Sequence, residues 1–255
     1  PNMKIVGITG SSGKTTAKNA IAHILRTKYK VKEGYKANSQ TGIPLDILDL
    51  HLKVYTKWDW LRVSLMAPIR LITNWKPYDY YVVEMGIDGP DEPVNMTYLL
   101  KVLKPDIGVF LNVSSSHAEP WDKLVPKSAP DRVDKIIGMI AREKGKLLTE
   151  IGHEATAIAN EDDPHIASLR EAIAAKLVTF GKSGDVSFEA VKSDLDGFEA
   201  TFKYKGQSAK LNIKNELFSK VYAYNFAAAI AVAVSSGIDF EEAVATLSDF
   251  SGQPG

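Results

Sequence analysis

Along the first two thirds of the chain, short apolar runs alternate with longer amphipathic stretches. The apolar runs predict strands at Lys4–Thr9, Tyr80–Glu84, Asp106–Val113, Ala155–Ala159 and Leu177–Phe180. Apolar residues three and four apart predict helices at Lys14–Lys28, Pro93–Leu103, Asp131–Ile151 and His165–Ala175. Tyr80-Tyr81-Val82-Val83 has no polar alternation, as expected of a strand covered on both faces. Strands and helices in this order predict an α/β fold, a mostly parallel sheet flanked by helices.

From Val186 the period changes to two. Val186–Val191, Phe198–Tyr204 and Ala209–Ile213 alternate, with Asp196-Gly197 and Lys205-Gly206 between them, which predicts a small antiparallel β meander over residues 185–214. Helices at Val221–Ser235 and Asp239–Asp249 follow, with Asp239 placed as an N-cap. There is no internal repeat, and residues 1–255 read as a single domain that includes the meander.

Composition narrows the class without naming a function. The 255 residues carry 31 Lys+Arg and 31 Asp+Glu, a formal net charge of zero. Nucleic-acid binders usually carry a basic excess, so no nucleic-acid partner is expected. The absence of cysteine excludes disulfides and thiolate chemistry and fits a reducing cytoplasm. A strand-like Met3–Ile8 leaves no expectation of a signal peptide, and no apolar run approaches the roughly 20 residues of a membrane span. The expectation is a soluble cytoplasmic monomer.

Chemistry enters at Thr9-Gly10-Ser11-Ser12-Gly13-Lys14-Thr15-Thr16, between the first strand and the first helix. Glycines let the backbone fold around a phosphate chain, with N–H groups converging at a helix N-terminus. Lys14 would reach the β- and γ-phosphates of ATP, and the Thr15 hydroxyl would ligate Mg²⁺. The usual motif has glycine five residues before Gly13, where this chain has Ile8. A glycine-rich strand-to-helix turn without a ligand would share part of this pattern.

The displaced early glycine, and further segments in order along the chain, resemble the Mur ligase superfamily, which includes the peptidoglycan ligases and folylpolyglutamate synthase. The segments are Asn38-Ser39-Gln40-Thr41-Gly42-Ile43-Pro44-Leu45, Glu84-Met85-Gly86, Asn112 to His117 and Glu119, Ile140 to Gly145, Asn160 to Asp163, and Tyr224-Asn225 with the alanines after it. The resemblance implies a P-loop NTPase-like central domain that uses ATP and Mg²⁺. It implies that Thr15 and Glu84 hold one Mg²⁺, and His117 and a carbamylated Lys144 a second. Gly10, Ser11, Ser12, Gly13, Lys14, Thr15 and Thr16 would bind ATP phosphates, Asn160 would lie near adenine and ribose, and Asn225 would line the adenine pocket. Asn38, Ser39 and Thr41 would form a loop beside the γ-phosphate and acceptor. Catalysis would fall to Lys14, Lys144 and His117.

Two features add to or depart from that pattern. Val133, Ile137, Ile140 and Leu147 or Leu148 form an apolar stripe, and Lys144 lies on it. A lysine facing inward needs a reason, because burying its charge is costly; the bland alternative is an ammonium that snorkels to solvent. Val221 and Tyr222 stand where the family generally has His-Asn, so a polar adenine contact is lost or replaced by stacking on Tyr222.

The reaction implied is phosphorylation of a carboxylate, followed by amine attack on the acyl phosphate. The nearest resemblance implies a UDP-N-acetylmuramoyl peptide as acceptor and an amino acid or dipeptide, D-alanyl-D-alanine, as amine. A UDP-sugar domain and an amino-acid domain flank the central domain in the family, and the chain is expected to lack both and to ligate poorly alone. Folylpolyglutamate synthesis, a P-loop kinase or GTPase, and a non-catalytic ATP-binding module are the rivals. The tryptophan-rich segment 58–75, interrupted by Arg62, Pro68 and Arg70, has no counterpart in the resemblance. It is expected to pack under another domain or against the sheet, with an interfacial membrane helix as the alternative.

Overall fold

The chain folds so that nearly every strand of its first half is covered on both faces. The structure is a computed structural model that describes residues 3–35, 37–50, 52, 56–73, 77–116, 118–195, 197–214 and 218–251. In chain order the elements are β1 (Lys4–Thr9), α1 (Lys14–Leu25), β2 (Val31–Glu33), α2 (Gly42–Ile47), α3 (Lys57–Thr73), β3 (Tyr80–Glu84), α4 (Met96–Val102), β4 (Ile107–Phe110) and α5 (Arg132–Thr149). There follow β5 (Thr156–Asn160), α6 (Pro164–Ala167), β6 (Lys176–Gly181), β7 (Val186–Asp194), β8 (Gly197–Tyr204), β9 (Gln207–Lys214), α7 (Tyr222–Ser235) and α8 (Phe240–Thr246).

The strands form one nine-stranded sheet in the order β2-β3-β1-β4-β5-β6-β7-β8-β9. Pairing is parallel from β2 to β6, as the alternation of strands and helices predicts. From β1 the chain runs out to β2 and returns through β3, then crosses to β4 on the other side of β1. The strand ends beside this change of direction are where ligands bind in open α/β sheets.

Alternate residues of β3 feed opposite cores. Tyr80 and Val82 join the layer with α1, α7 and α8, while Tyr81 and Val83 join the layer with α4 and α5. α1 packs on α7, and both helices carry fully buried alanines, Ala17, Ala20 and Ala22 on one and Ala227 to Ala229 on the other. On the opposite face α5 comes close to β4, because Gly108 has no Cβ; one built there would strike the Leu147 carbonyl.

Several expectations change. The meander is present but belongs to the main sheet: β7 continues from β6 through Phe180↔Val186 and Gly181↔Ser187. The strand expected over Asp106–Val113 is only Ile107–Phe110, because the chain then turns toward the phosphate loop, where Ser11 N–H donates to the Asn112 carbonyl at 3.0 Å. The helix expected at His165–Ala175 is the single turn α6 and a 3₁₀ turn at Arg170–Ala172. Asp163 caps α6 and Pro164 opens it, and the chain must reach the sheet by Lys176. On α5, Val133 is 60% exposed and Ile136 is the buried residue of that turn. β2 is an element beyond those expected, and the segment for which a helix was the alternative is helical over Lys57–Thr73. No residue of α3 is fully buried, although Val63, Met66, Ala67 and Arg70 on one side are half-buried.

Candidate functional site

β1 ends and α1 begins on either side of the glycine-rich loop. Gly13 holds φ at 78°, a left-handed conformation that sets the turn into the helix. A Cβ there would lie 2.7 Å from Asn225 Oδ1, so α7 closes directly over the loop. Lys14 Nζ donates to the Gly10 carbonyl at 2.8 Å, curling back over the loop that precedes it. Burial pulls the Lys14 ammonium below its usual pKa, and the Glu84 carboxylate works against that shift.

The end of β3 brings Glu84 to the first turn of α1. Thr15 Oγ1 donates to Glu84 Oε1 at 2.9 Å, across 69 residues of sequence. Lys18 Nζ lies 3.3 Å from the same oxygen and donates to the Gly34 carbonyl at 3.0 Å. Next to Glu84, Gly86 N–H donates to the Asn38 carbonyl at 2.9 Å, which pins the start of the Asn38–Thr41 loop beside this strand end. Ser39 Oγ accepts from Gly42 N–H at 3.2 Å, and the Thr41 carbonyl accepts from Leu45 N–H at 3.4 Å. Both residues thus shape the entry to α2.

The end of β4 clamps the loop from the other side. Asn112 Oδ1 accepts from Ser12 N–H at 3.0 Å and Ser12 Oγ at 3.2 Å, while its Nδ2 donates to the Ser12 carbonyl at 3.1 Å. Ser11 Oγ accepts from Ser114 N–H at 2.9 Å and from Lys144 Nζ at 3.2 Å. Lys144 is buried, as its place on α5 predicts. Burial, and then repulsion from Lys14, lower its pKa to about 8. His117 lies outside the described residues. Among those described, no three His, Cys, Asp or Glu side chains gather to hold a metal.

Beside the loop opens a cavity of about 510 Å³, whose walls include Ser12, Thr16, Asn112, Asn160, Tyr222 and Asn225. Asn160 contributes its position more than its amide. Its Nδ2 donates to the Leu111 carbonyl at 2.8 Å and its Oδ1 accepts from Asp162 N–H at 3.0 Å. Asp162 is fully engaged. It accepts from Ser183 Oγ and Lys182 N–H, each at 2.6 Å, and from Tyr224 Oη at 3.0 Å. Asp163 accepts from Val113 N–H at 3.0 Å besides capping α6.

The structure therefore gathers Gly10 to Thr16, Glu84, Lys144, Asn160 and Asn225 at one edge of the sheet, with Asn38 beside Glu84. The buried Lys144, the half-buried Lys14 and a helix N-terminus suit a polyphosphate, and the oxygens of Thr15 and Glu84 suit a hard divalent cation. Asn112 and Lys18 were missed as site residues. The signal for Asn112 is its place just beyond a buried strand; for Lys18, its place one turn beyond Lys14 on the same helix.

A profile described as the Mur ligase middle domain matches residues 8–233. The UDP-N-acetylmuramoyl-tripeptide–D-alanyl-D-alanine ligase of Mycobacterium bovis is 25% identical over 248 residues, 96% of this chain and 41% of that protein. The UDP-N-acetylmuramoyl-L-alanyl-D-glutamate–2,6-diaminopimelate ligase of Bacillus cereus is 24% identical over 263 residues, 99% of this chain and 48% of that protein. The chain thus spans less than half the length of these curated relatives. Among solved structures, MurF ligase from Thermotoga maritima in complex with ADP superposes with a TM-score of 0.70 at 23% identity, covering 100% of this chain and 50% of that one. A mutant of L. casei FPGS superposes at 0.62 with 17% identity, covering 97% and 63%. At these identities the superpositions speak for the fold.

Proposed function

Since this chain belongs to the Mur ligase family, matching its middle domain, we propose that it is the ATP-handling part of an amide ligase. The observation that carries this reading is the meeting of Lys144 with Ser11 of the phosphate loop, 3.2 Å apart on elements distant in sequence. A kinase or GTPase has no need of a buried lysine at that corner.

In the proposed reaction an oxygen of the substrate carboxylate attacks the γ-phosphorus of ATP, the bond to the β,γ-bridging oxygen breaks, and ADP leaves. The amine then attacks the acyl carbon, phosphate departs, and the nitrogen loses a proton. Lys14 offsets charge on the transferring phosphoryl group, and loop N–H groups orient the phosphate chain. Thr15 and Glu84 would hold Mg²⁺, whose chemistry there is to neutralise phosphate oxygens. Both are oxygen ligands, and their 2.9 Å separation lets them face one ion. Following the resemblance, Lys144 would take up carbon dioxide as a carbamate, with release of a proton, and with His117 would hold a second ion. Its lowered pKa favours the neutral amine that this step requires. Tyr222 offers a ring to the base where the family has a polar pair.

The acceptor proposed is a UDP-N-acetylmuramoyl peptide and the amine D-alanyl-D-alanine. Support comes from the name of the Mycobacterium bovis relative and from the Asn38–Thr41 loop held beside Glu84. Acceptor and amine would be selected by a UDP-sugar domain and an amino-acid domain working with this one, so MgATP binding without efficient ligation is expected of the 255 residues alone. The test is ¹³C NMR in labelled bicarbonate, with and without MgATP. A carbamate resonance present in the wild type and lost in Lys144→Ala supports Mur-type chemistry. No resonance under either condition overturns it.

A further inference from the structure

α3 is a 17-residue helix with no buried residue. Seven of the thirteen large hydrophobic side chains exposed on the described chain belong to it: Trp58, Trp60, Leu61, Leu65, Ile69, Leu71 and Ile72. Five of the seven share one face, while Trp60 and Leu71 lie on the far side of the helix. Trp58, Leu61, Leu65, Ile69 and Ile72 follow the three- and four-residue spacing of one face, and their exposures are 79, 50, 64, 52 and 73%. Val63, Met66, Ala67 and Arg70, at the same spacing on the other side, are half-buried. The helix therefore presents an apolar stripe about 21 Å long outward, and contiguous apolar surface of this kind marks an interaction site.

Charge and composition select the occupant. Residues 51–76 contain Lys53, Lys57, Arg62, Arg70 and Lys76 but only one carboxylate, Asp59, within a chain of zero net charge. Asp59 is engaged at the helix start, where its Oδ2 accepts from Thr56 N–H at 3.1 Å and Thr56 Oγ1 at 2.8 Å. Lys57 and Arg62 flank the stripe on the helical projection. Trp58 stands at its beginning, and an aromatic ring of this type favours the headgroup level of a bilayer. No described helix is long and apolar enough to cross a membrane. An outward apolar stripe with cationic flanks and a tryptophan fits a helix lying in the plane of an anionic interface. A second copy on the same face would instead bring two cationic flanks together.

We propose that α3 docks this domain reversibly on an anionic lipid surface, with Trp58, Leu61, Leu65 and Ile69 in the headgroup region and Lys57 and Arg62 against lipid phosphates. The inference stands apart from the ligase reading, since none of these residues belongs to the nucleotide site. The test is flotation of the chain with vesicles of equal parts phosphatidylcholine and phosphatidylglycerol, compared with phosphatidylcholine alone. Light scattering of the protein without lipid and nucleotide binding serve as controls. Flotation with the anionic vesicles, weakened about tenfold or more by Leu65→Glu with Ile69→Glu and reduced by salt or by Lys57→Glu with Arg62→Glu, is the expected result. Because these side chains are exposed, the variants should keep their fold and their nucleotide binding. Three results would overturn the proposal: no flotation, equal flotation with neutral vesicles, or a dimer that dissociates in Leu65→Glu while lipid binding is absent.

Discussion

Lys144 Nζ donates to Ser11 Oγ at 3.2 Å, joining residues 133 positions apart. The contact depends on how closely α5 lies against the sheet, and that depends on the bare backbone of Gly108. Two lysines of the site consequently face one loop, and repulsion between them adds to burial in favouring a neutral Lys144.

The first prediction follows from that neutrality. The Lys144 pKa falls from 10.5 to about 8 on folding, so between those values the unfolded chain binds more protons and stability rises with pH. Below about pH 8 the fold bears the full cost of the buried ammonium, on the order of 3 kcal/mol. Lys144→Met is therefore expected to be more stable than wild type near neutral pH in carbonate-free buffer. The gap should close as pH rises past that window, which denaturant titrations at a series of pH values would show.

Gly13→Ala should damage the site without touching a charge. The left-handed φ of 78° strains any other residue, and the new Cβ would press on the Asn225 amide. A loss of about 1–2 kcal/mol in stability is expected, together with at least tenfold weaker MgATP binding by calorimetry.

Tyr222 separates base recognition from phosphate recognition. Tyr222→Ala is expected to weaken ATP binding about tenfold, the worth of one stacked base. Tripolyphosphate, which has no base, should bind both proteins equally in the same titration.

Asp162 ties the end of β5 to the turn before β7 and to α7. Burial alone would raise its carboxyl pKa, but hydrogen bonds from Ser183, Lys182 N–H and Tyr224 outweigh that and hold it below the usual value of 3.8. Its stabilising contribution is thus present above that pH and lost as pH falls through the lowered value. Asp162→Ala should cost about 1–3 kcal/mol at neutral pH, and the difference from wild type should shrink in acid-unfolding curves.

Local patterns were readable where local physics decides them. The phosphate loop announces itself as strand, glycines and helix within a dozen residues, and the spacing along α5 puts Lys144 on the same face as Ile140 and Leu147. Asn112 as the clamp on Ser12 was not readable, because it requires β4 to lie beside β1, a pairing made across a hundred residues. β2 has three residues and is too short to show a period. α3 exposes the deeper limit. Its stripe from Trp58 to Ile72 has the spacing of a core-facing helix, and spacing says which side chains share a face but not which way that face points. The lower end of α5 shows the same limit on a smaller scale, where Ile136 is buried and Val133 is not.

The packing of α1 on α7 has a mechanical consequence. The phosphate loop sits at the N-terminus of one helix, and Tyr222 and Asn225 at the N-terminus of the other. Alanines together with Ile21, Ile24, Phe226 and Ile230 are fully buried in one core between them, so close packing would hold the two helices as one stiff unit. The glycine-rich loop and the cavity wall at Tyr222 and Asn225 would then keep a fixed spacing, and a closing motion over a nucleotide bound there would have to come from elements outside this pair.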